Sequence, residues 1–166
     1  MRLPEQTRRL STAGLCMTFC MTLFVSVRVA AGSLGDYRWQ HRLLVLVAPD
    51  ATDVSVQQVR QSLAHHADEL ADRHLLVLQL FLHDQSLVEG RPVSGTEAAG
   101  LRAELGVEQD ARMLLLVGKD GLVKRRAALV TDLQVIFSQI DAMPMRRIEM
   151  RQRGENGGQS QPALQR

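Results

Sequence analysis

The chain has 166 residues, with 20 basic and 18 acidic side chains, and aromatic residues make up only 4% of it. That length suits one domain with one core, and a charge so close to balance excludes binding to nucleic acid or anionic lipid through an overall field. Both cysteines, Cys16 and Cys20, precede residue 21. The rest of the chain can therefore form no disulfide, no Cys-x-x-Cys redox pair, no cysteine nucleophile and no thiolate metal site.

Residues 1–31 read as an export signal. Arg2, Arg8 and Arg9 outweigh Glu5, residues 10–27 carry no charge, and Ala30, Ala31, Gly32 and Ser33 supply a small-residue exit. A basic start, an apolar run and small residues at the exit mark a secretory signal, with cleavage expected after Ala31. The alternative is an uncleaved membrane anchor. Thr12, Thr18, Thr22 and Ser26 dilute the apolar run and Arg28 closes it early, which favours cleavage. The mature chain then holds 16 basic and 17 acidic residues. It is expected in the periplasm or secreted, off the membrane once cleaved, and without nucleic-acid partners.

Residues 36–42 form an aromatic and basic lead-in to an apolar run, 43–48, that Pro49-Asp50 stops. A short unbroken run of Leu and Val reads as a buried strand. Thr52 or Asp53 can cap the next element. Over 54–73 the apolar residues Val56, Val59, Leu63, Ala67 and Leu70 recur at helical spacing. Residues 75–82 read as a second buried strand, and 85–95, with Gly90, Pro92 and Gly95, as a loop. A short helix follows over 96–105, ended by Gly106.

Residues 113–117 read as a third strand, Gly118-Lys119-Asp120-Gly121 as a hairpin turn, and 122–127 as a fourth strand. A phosphate loop is the rival reading of that turn, but it needs a following helix and a Gly-Lys-Ser or Gly-Lys-Thr. A helix over 132–142 carries Leu133, Ile136, Phe137 and Ile140 on one face, Pro144 breaks or restarts it, and 145–151 adds one more turn. Residues 154–166 read as a disordered tail. A helical crossover makes the first two strands parallel, and the tight turn makes the last two antiparallel. The expected fold is α/β, a thioredoxin-like mixed four-stranded sheet with flanking helices over residues 32–153.

Three segments stand out together: Tyr37-Arg38-Trp39-x-x-Arg42-Leu43-Leu44, Leu116-Val117-Gly118-Lys119-Asp120-Gly121-x-Val123-Lys124, and Ile140-Asp141-Ala142-Met143-Pro144-Met145-Arg146-Arg147-x-Glu149-Met150. In order and spacing the set resembles the domain-of-unknown-function family 4174. That family occurs as small exported bacterial proteins, and related domains form part of larger secreted vertebrate proteins, including sushi-repeat-containing ones. The resemblance implies a thioredoxin- or peroxiredoxin-like fold and an export route. It implies no activity and no cofactor.

In such a sheet the reactive position follows the first strand. Asp50, Thr52, His83 and Arg112 are the candidate ligand-binding residues there, with Arg112 as an anion clamp. Thr52 and Arg112 would sit roughly where a peroxiredoxin-like protein binds peroxide, but the cysteine is missing. The alternative is that Thr52 or Asp53 caps a helix and Arg112 pairs with a surface acid. His65, His66, His74 and His83 invite a metal, yet no His-x-x-x-His or Glu-x-x-His occurs, and adjacent histidines on a helix diverge. No metal is expected. Met143, Met145, Ile148 and Met150 among arginines suggest a contact surface, or else a helix packing its methionines on the sheet with its arginines wet. The leading reading is a non-redox binding or interaction module for an unknown protein or a small anionic ligand. The alternative is an enzyme or oxidative-stress accessory of peroxiredoxin-like ancestry that uses Thr52, His83 and Arg112.

Overall fold

A computed structural model describes residues 32–158. Residues 1–31, where an export signal is expected, and residues 159–166 of the expected tail lie outside the described residues. The organising element is β1 (Arg42–Ala48), which is buried at all of its 7 positions. A strand covered on both faces reads as an unbroken apolar run rather than an alternating one. Leu44, Leu46 and Ala48 face one layer, made by α1 (Val54–His65) and α4 (Leu133–Asp141) through Val56, Val59, Leu63, Ile136, Phe137 and Ile140. Leu43, Val45 and Val47 face the other, where α3 (Gly95–Glu104) contributes Ala98 and Leu101, and Leu34 joins from the lead-in. The split follows from the period of two along a strand.

β2 (Leu75–Phe81) runs parallel to β1, while β5 (Met113–Val117) pairs with the other edge of β1 antiparallel. β6 (Val123–Ala127) returns antiparallel to β5 through the 118–121 turn. Gly121 takes φ +80° there, a conformation open to glycine without strain. A central strand with a parallel neighbour reached through a helix, and an antiparallel hairpin on its other side, is the thioredoxin-like arrangement.

The sheet has six strands rather than four, in the order β4-β3-β2-β1-β5-β6. The extra pair, β3 (Leu87–Val88) and β4 (Arg91–Pro92), lies in the stretch that reads as a loop. Glu89 and Gly90, at φ 51° and 76°, turn this hairpin, and Leu78↔Val88 pairs it to β2. Strands of two residues are too short to show any periodicity, so only the turn signals reach the sequence.

The helix expected over 54–73 is two. α1 ends at His66, whose φ of −117° and ψ of 28° leave the helical region, and α2 (Ala67–Asp72) follows. The His66 ring turns onto Phe137, 5.8 Å between centroids, and its Nδ1 meets the Ser62 carbonyl at 2.7 Å. α5 (Pro144–Gly158) is far longer than one turn and continues past Gly154, where a tail was expected. Proline suits the first position of a helix, and the Met, Arg, Glu and Gln that follow propagate it. Among the described residues no helix is long and apolar enough to cross a membrane.

Replacing the fully buried Leu46 with Ala is expected to lower unfolding free energy by about 2–5 kcal/mol. Val54→Ala, at a residue 71% exposed, should change it by less than about 0.5 kcal/mol. Urea midpoints of the two variants check this.

Candidate functional site

The carboxyl ends of β1 and β2 are stitched together by backbone. The Pro49 carbonyl accepts the N–H groups of Leu82 and His83, both at 3.0 Å. Asp84 accepts the Ala51 N–H at 2.6 Å. Those contacts bring the turns bearing Asp50, Thr52 and His83 beside one another, and Arg112 reaches them from the residue before β5 by an ion pair with Asp53. The other oxygen of Asp53 accepts the Ser55 N–H at 2.8 Å, so Asp53 rather than Thr52 caps α1. Thr52 and His83 are exposed. The guanidinium of Arg112 is 58% exposed and already holds a carboxylate. The arrangement is the second of the two readings of Arg112: a helix cap doubling as the acid of a surface ion pair.

The histidines are dispersed. His65 Nδ1 meets the Gln61 carbonyl at 2.6 Å, one helical turn back, as His66 meets Ser62. His74 is held at the other end of the sheet. Among the described residues no three potential metal ligands converge.

About 20 Å away, at the amino end of the 7-residue β1, lies the densest group of charges in the domain. Arg42, 1% exposed, donates two hydrogen bonds to the two oxygens of Glu149, each 3.1 Å, and one to the Arg73 carbonyl at 2.9 Å. Lys119 meets the same carboxylate at 2.9 Å and donates to His74 Nδ1, also at 2.9 Å. Arg146, 3% exposed, donates to Asp141 at 3.0 Å and to the Asp72 carbonyl at 2.7 Å, and also pairs with the Asp72 carboxylate. Arg73 joins Asp141 at 2.7 Å and lies over the Phe137 ring, 4.7 Å from its centroid.

The charges shift one another. Burial pushes the Glu149 carboxyl up, but hydrogen bonds and charge from Arg42 and Lys119 outweigh it and hold the group below the ordinary range. For Asp141 burial is likewise outweighed, by Arg73 and Arg146. Burial, and then the Lys119 ammonium, lower His74 below the ordinary histidine value.

Arg42 comes from the first of the three distinctive segments, Lys119 from the second, and Asp141, Arg146 and Glu149 from the third. Segments scattered along the chain thus meet in one buried cluster. The model of the domain of unknown function DUF4174 matches residues 33–149. The chain belongs to the DUF4174 family. It is 30% identical over 133 residues to coiled-coil domain-containing protein 80 of Danio rerio, a match covering 70% of this chain and 15% of that protein. It is 27% identical over 140 residues to the sushi repeat-containing protein SRPX of Rattus norvegicus, covering 82% of this chain and 30% of that one. The chain therefore spans less than a third of either relative. Two solved structures of Plasmodium yoelii proteins, Prx1a and thioredoxin peroxidase I, each align over 81% of the chain with a TM-score of 0.46 and 17% identity, covering 87% and 86% of their own chains.

Glu149→Gln is expected to cost about 3–5 kcal/mol, because it leaves Arg42 and Lys119 buried without their acid. The folded pKa of Glu149 is depressed. Its ionisation therefore contributes fully above the unfolded value of about 4.3 and is lost as pH falls through the folded one. Wild-type stability should drop as pH is lowered below about 4, and Glu149→Gln should show a shallower drop. Urea midpoints at neutral and acid pH measure both. Arg112→Ala, removing an exposed pair, should cost no more than about 1 kcal/mol.

Proposed function

We propose that the domain is an exported, non-redox binding module. The observation that carries this reading is the state of the turn after β1. In place of a thiol it has Pro49-Asp50-Ala51-Thr52-Asp53; Asp53 caps α1 and holds Arg112, and Asp84, which follows β2, fixes Ala51. A reactive centre needs a nucleophile or a titrating group held for substrate, and here Asp53 is committed to the α1 cap and to Arg112. No residue after Cys20 is a cysteine. The recurrence of the domain inside proteins several times its length also supports a module that works by contact. Export rests on the composition of residues 1–31, and the expected location is the periplasm or the medium.

Neither the full chain nor the form starting at Gly32 should reduce insulin or turn over peroxide above a thiol-only background. Thiol-dependent turnover by the form without Cys16 and Cys20 would overturn the reading. Mass spectrometry of the exported protein should find an N-terminus within a few residues of Gly32; a membrane-retained chain with residue 1 intact would remove the export part.

A further inference from the structure

Among the described residues four cations are buried: Arg42, Arg102, Lys119 and Arg146. Three of them touch carboxylates. Arg102, 6% exposed, does not. Its guanidinium donates to the carbonyls of Leu80 at 3.3 Å and Glu108 at 3.0 Å, and to that of Gln109. Carbonyl dipoles orient a guanidinium but leave its charge in place, and Asp110 acts on it only from beyond ion-pair distance. Arginine keeps its proton even when buried. A buried charge without a counter-ion is costly, and here it lines a cleft.

The cleft, about 320 Å³, lies between α3 and the chain leaving the carboxyl end of β2. Crevices beyond the carboxyl ends of parallel strands are where open α/β sheets gather ligands. Its walls are largely apolar, from Phe81, Leu82, Val93, Ala98 and Ala99. The polar residues beside them are committed elsewhere. Ser86 Oγ takes the Phe81 N–H at 2.8 Å, Gln85 donates to the Val93 carbonyl, and Asp84 holds Ala51. Arg102 is thus the one buried charge in the lining; the other charged residue there, Asp84, is exposed to solvent. Its Nε makes no hydrogen bond among the described residues, which leaves a donor for a ligand.

We propose that this cleft binds a small monocarboxylate with a short apolar body, the carboxylate on Arg102 and the body along Ala98, Ala99 and Phe81. The volume is at the lower limit of ligand pockets, about 300–1,000 Å³, which suits a metabolite-sized acid. The proposal rests on the binding-module reading and supplies its ligand class.

The test titrates the full chain with hexanoate at constant ionic strength, following amide shifts by NMR, with hexanamide and inorganic phosphate as controls. Saturable hexanoate binding is expected, with shifts centred on residues 81–86 and 95–102. Hexanamide should bind at least about tenfold more weakly, since it lacks the charge that Arg102 meets. Ala99→Leu fills the cleft from an exposed helical position and leaves the Arg102 guanidinium in the chain, so it should keep the fold and weaken hexanoate about tenfold or more. Arg102→Gln should abolish the preference for hexanoate over hexanamide. If that variant does not fold, the hexanamide comparison and Ala99→Leu decide. No saturation, equal binding of hexanamide or phosphate, or indifference to Ala99→Leu overturns the proposal. Such a failure leaves the non-redox reading standing, because that reading is judged by insulin and peroxide turnover alone.

Discussion

One carboxylate, Glu149, fixes how the last third of the chain meets the sheet. It draws Arg42 from the start of β1 and Lys119 from the β5–β6 turn onto α5, and Arg146, one turn earlier on α5, reaches Asp141 and Asp72. Buried ion pairs of this kind contribute little net stability, since desolvation of each charge costs several kcal/mol. What they supply is geometry: the buried cations converge on a few fixed carboxylates, and a shift of α5 by one residue would leave several buried charges unpaired. The lead-in is tied to the same place, because the Trp39 N–H donates to the Lys119 carbonyl at 2.6 Å. Amino end, hairpin turn and C-terminal helix are therefore mutually constrained.

That constraint explains an inversion on α5. Its sheet-facing side is charged, with Arg146 3% exposed and Glu149 partly buried, while Met145, Ile148 and Met150 are 38%, 47% and 38% exposed. Of the packing reading, Met143 against the core and Arg147, Arg151 and Arg153 in water are as expected, whereas Met145, Ile148 and Met150 lie outward. A hydropathy pattern assumes that apolar residues face inward. It fails where a buried face is built from ions that satisfy one another. Arg42 shows the same effect: it sits in an aromatic and basic lead-in where Arg38 lies over the Trp39 ring, at 5.9 Å, yet Arg42 itself is buried and taken by Glu149.

The frame was legible because it is driven by transfer of apolar surface. The runs at β1, β2 and β5, the helical spacing of Val56, Val59 and Leu63, and the Asp120-Gly121 turn carry strong local signals, and chain order alone then fixes which strands are parallel. The β3–β4 hairpin was lost because two residues cannot show a period. The break at His66 was lost because the apolar spacing of α1 and α2 runs through it. Of the candidate site, the positions of Asp50, Thr52, His83 and Arg112 near one another followed from topology. The sequence offered Thr52 or Asp53 as a cap and an unspecified surface acid for Arg112; in the structure Asp53 is both cap and partner, a coincidence that no local signal carries. Arg102 gave one signal that was available and unread: it lies among Ala98, Leu101 and Leu105, on the buried face of a helix where a cation has no ordinary reason to be.

Arg42 and Arg102 make the sharpest comparison in the domain. Both are arginines, both are more than nine-tenths buried, and both hold backbone carbonyls. At Arg42 the charge is met by Glu149 from a neighbouring element, so the site is closed and its work is to lock the fold. At Arg102 the chain supplies dipoles but no acid, and it leaves space beside the guanidinium. A protein that could place three carboxylates beside the cations at the amino end of its sheet has left one cation unanswered at the other end. Desolvation makes that arrangement unfavourable for the isolated domain and more favourable once an anion is bound, and this contrast is the ground for proposing a ligand at the carboxyl end of the sheet and not at its ionic cluster.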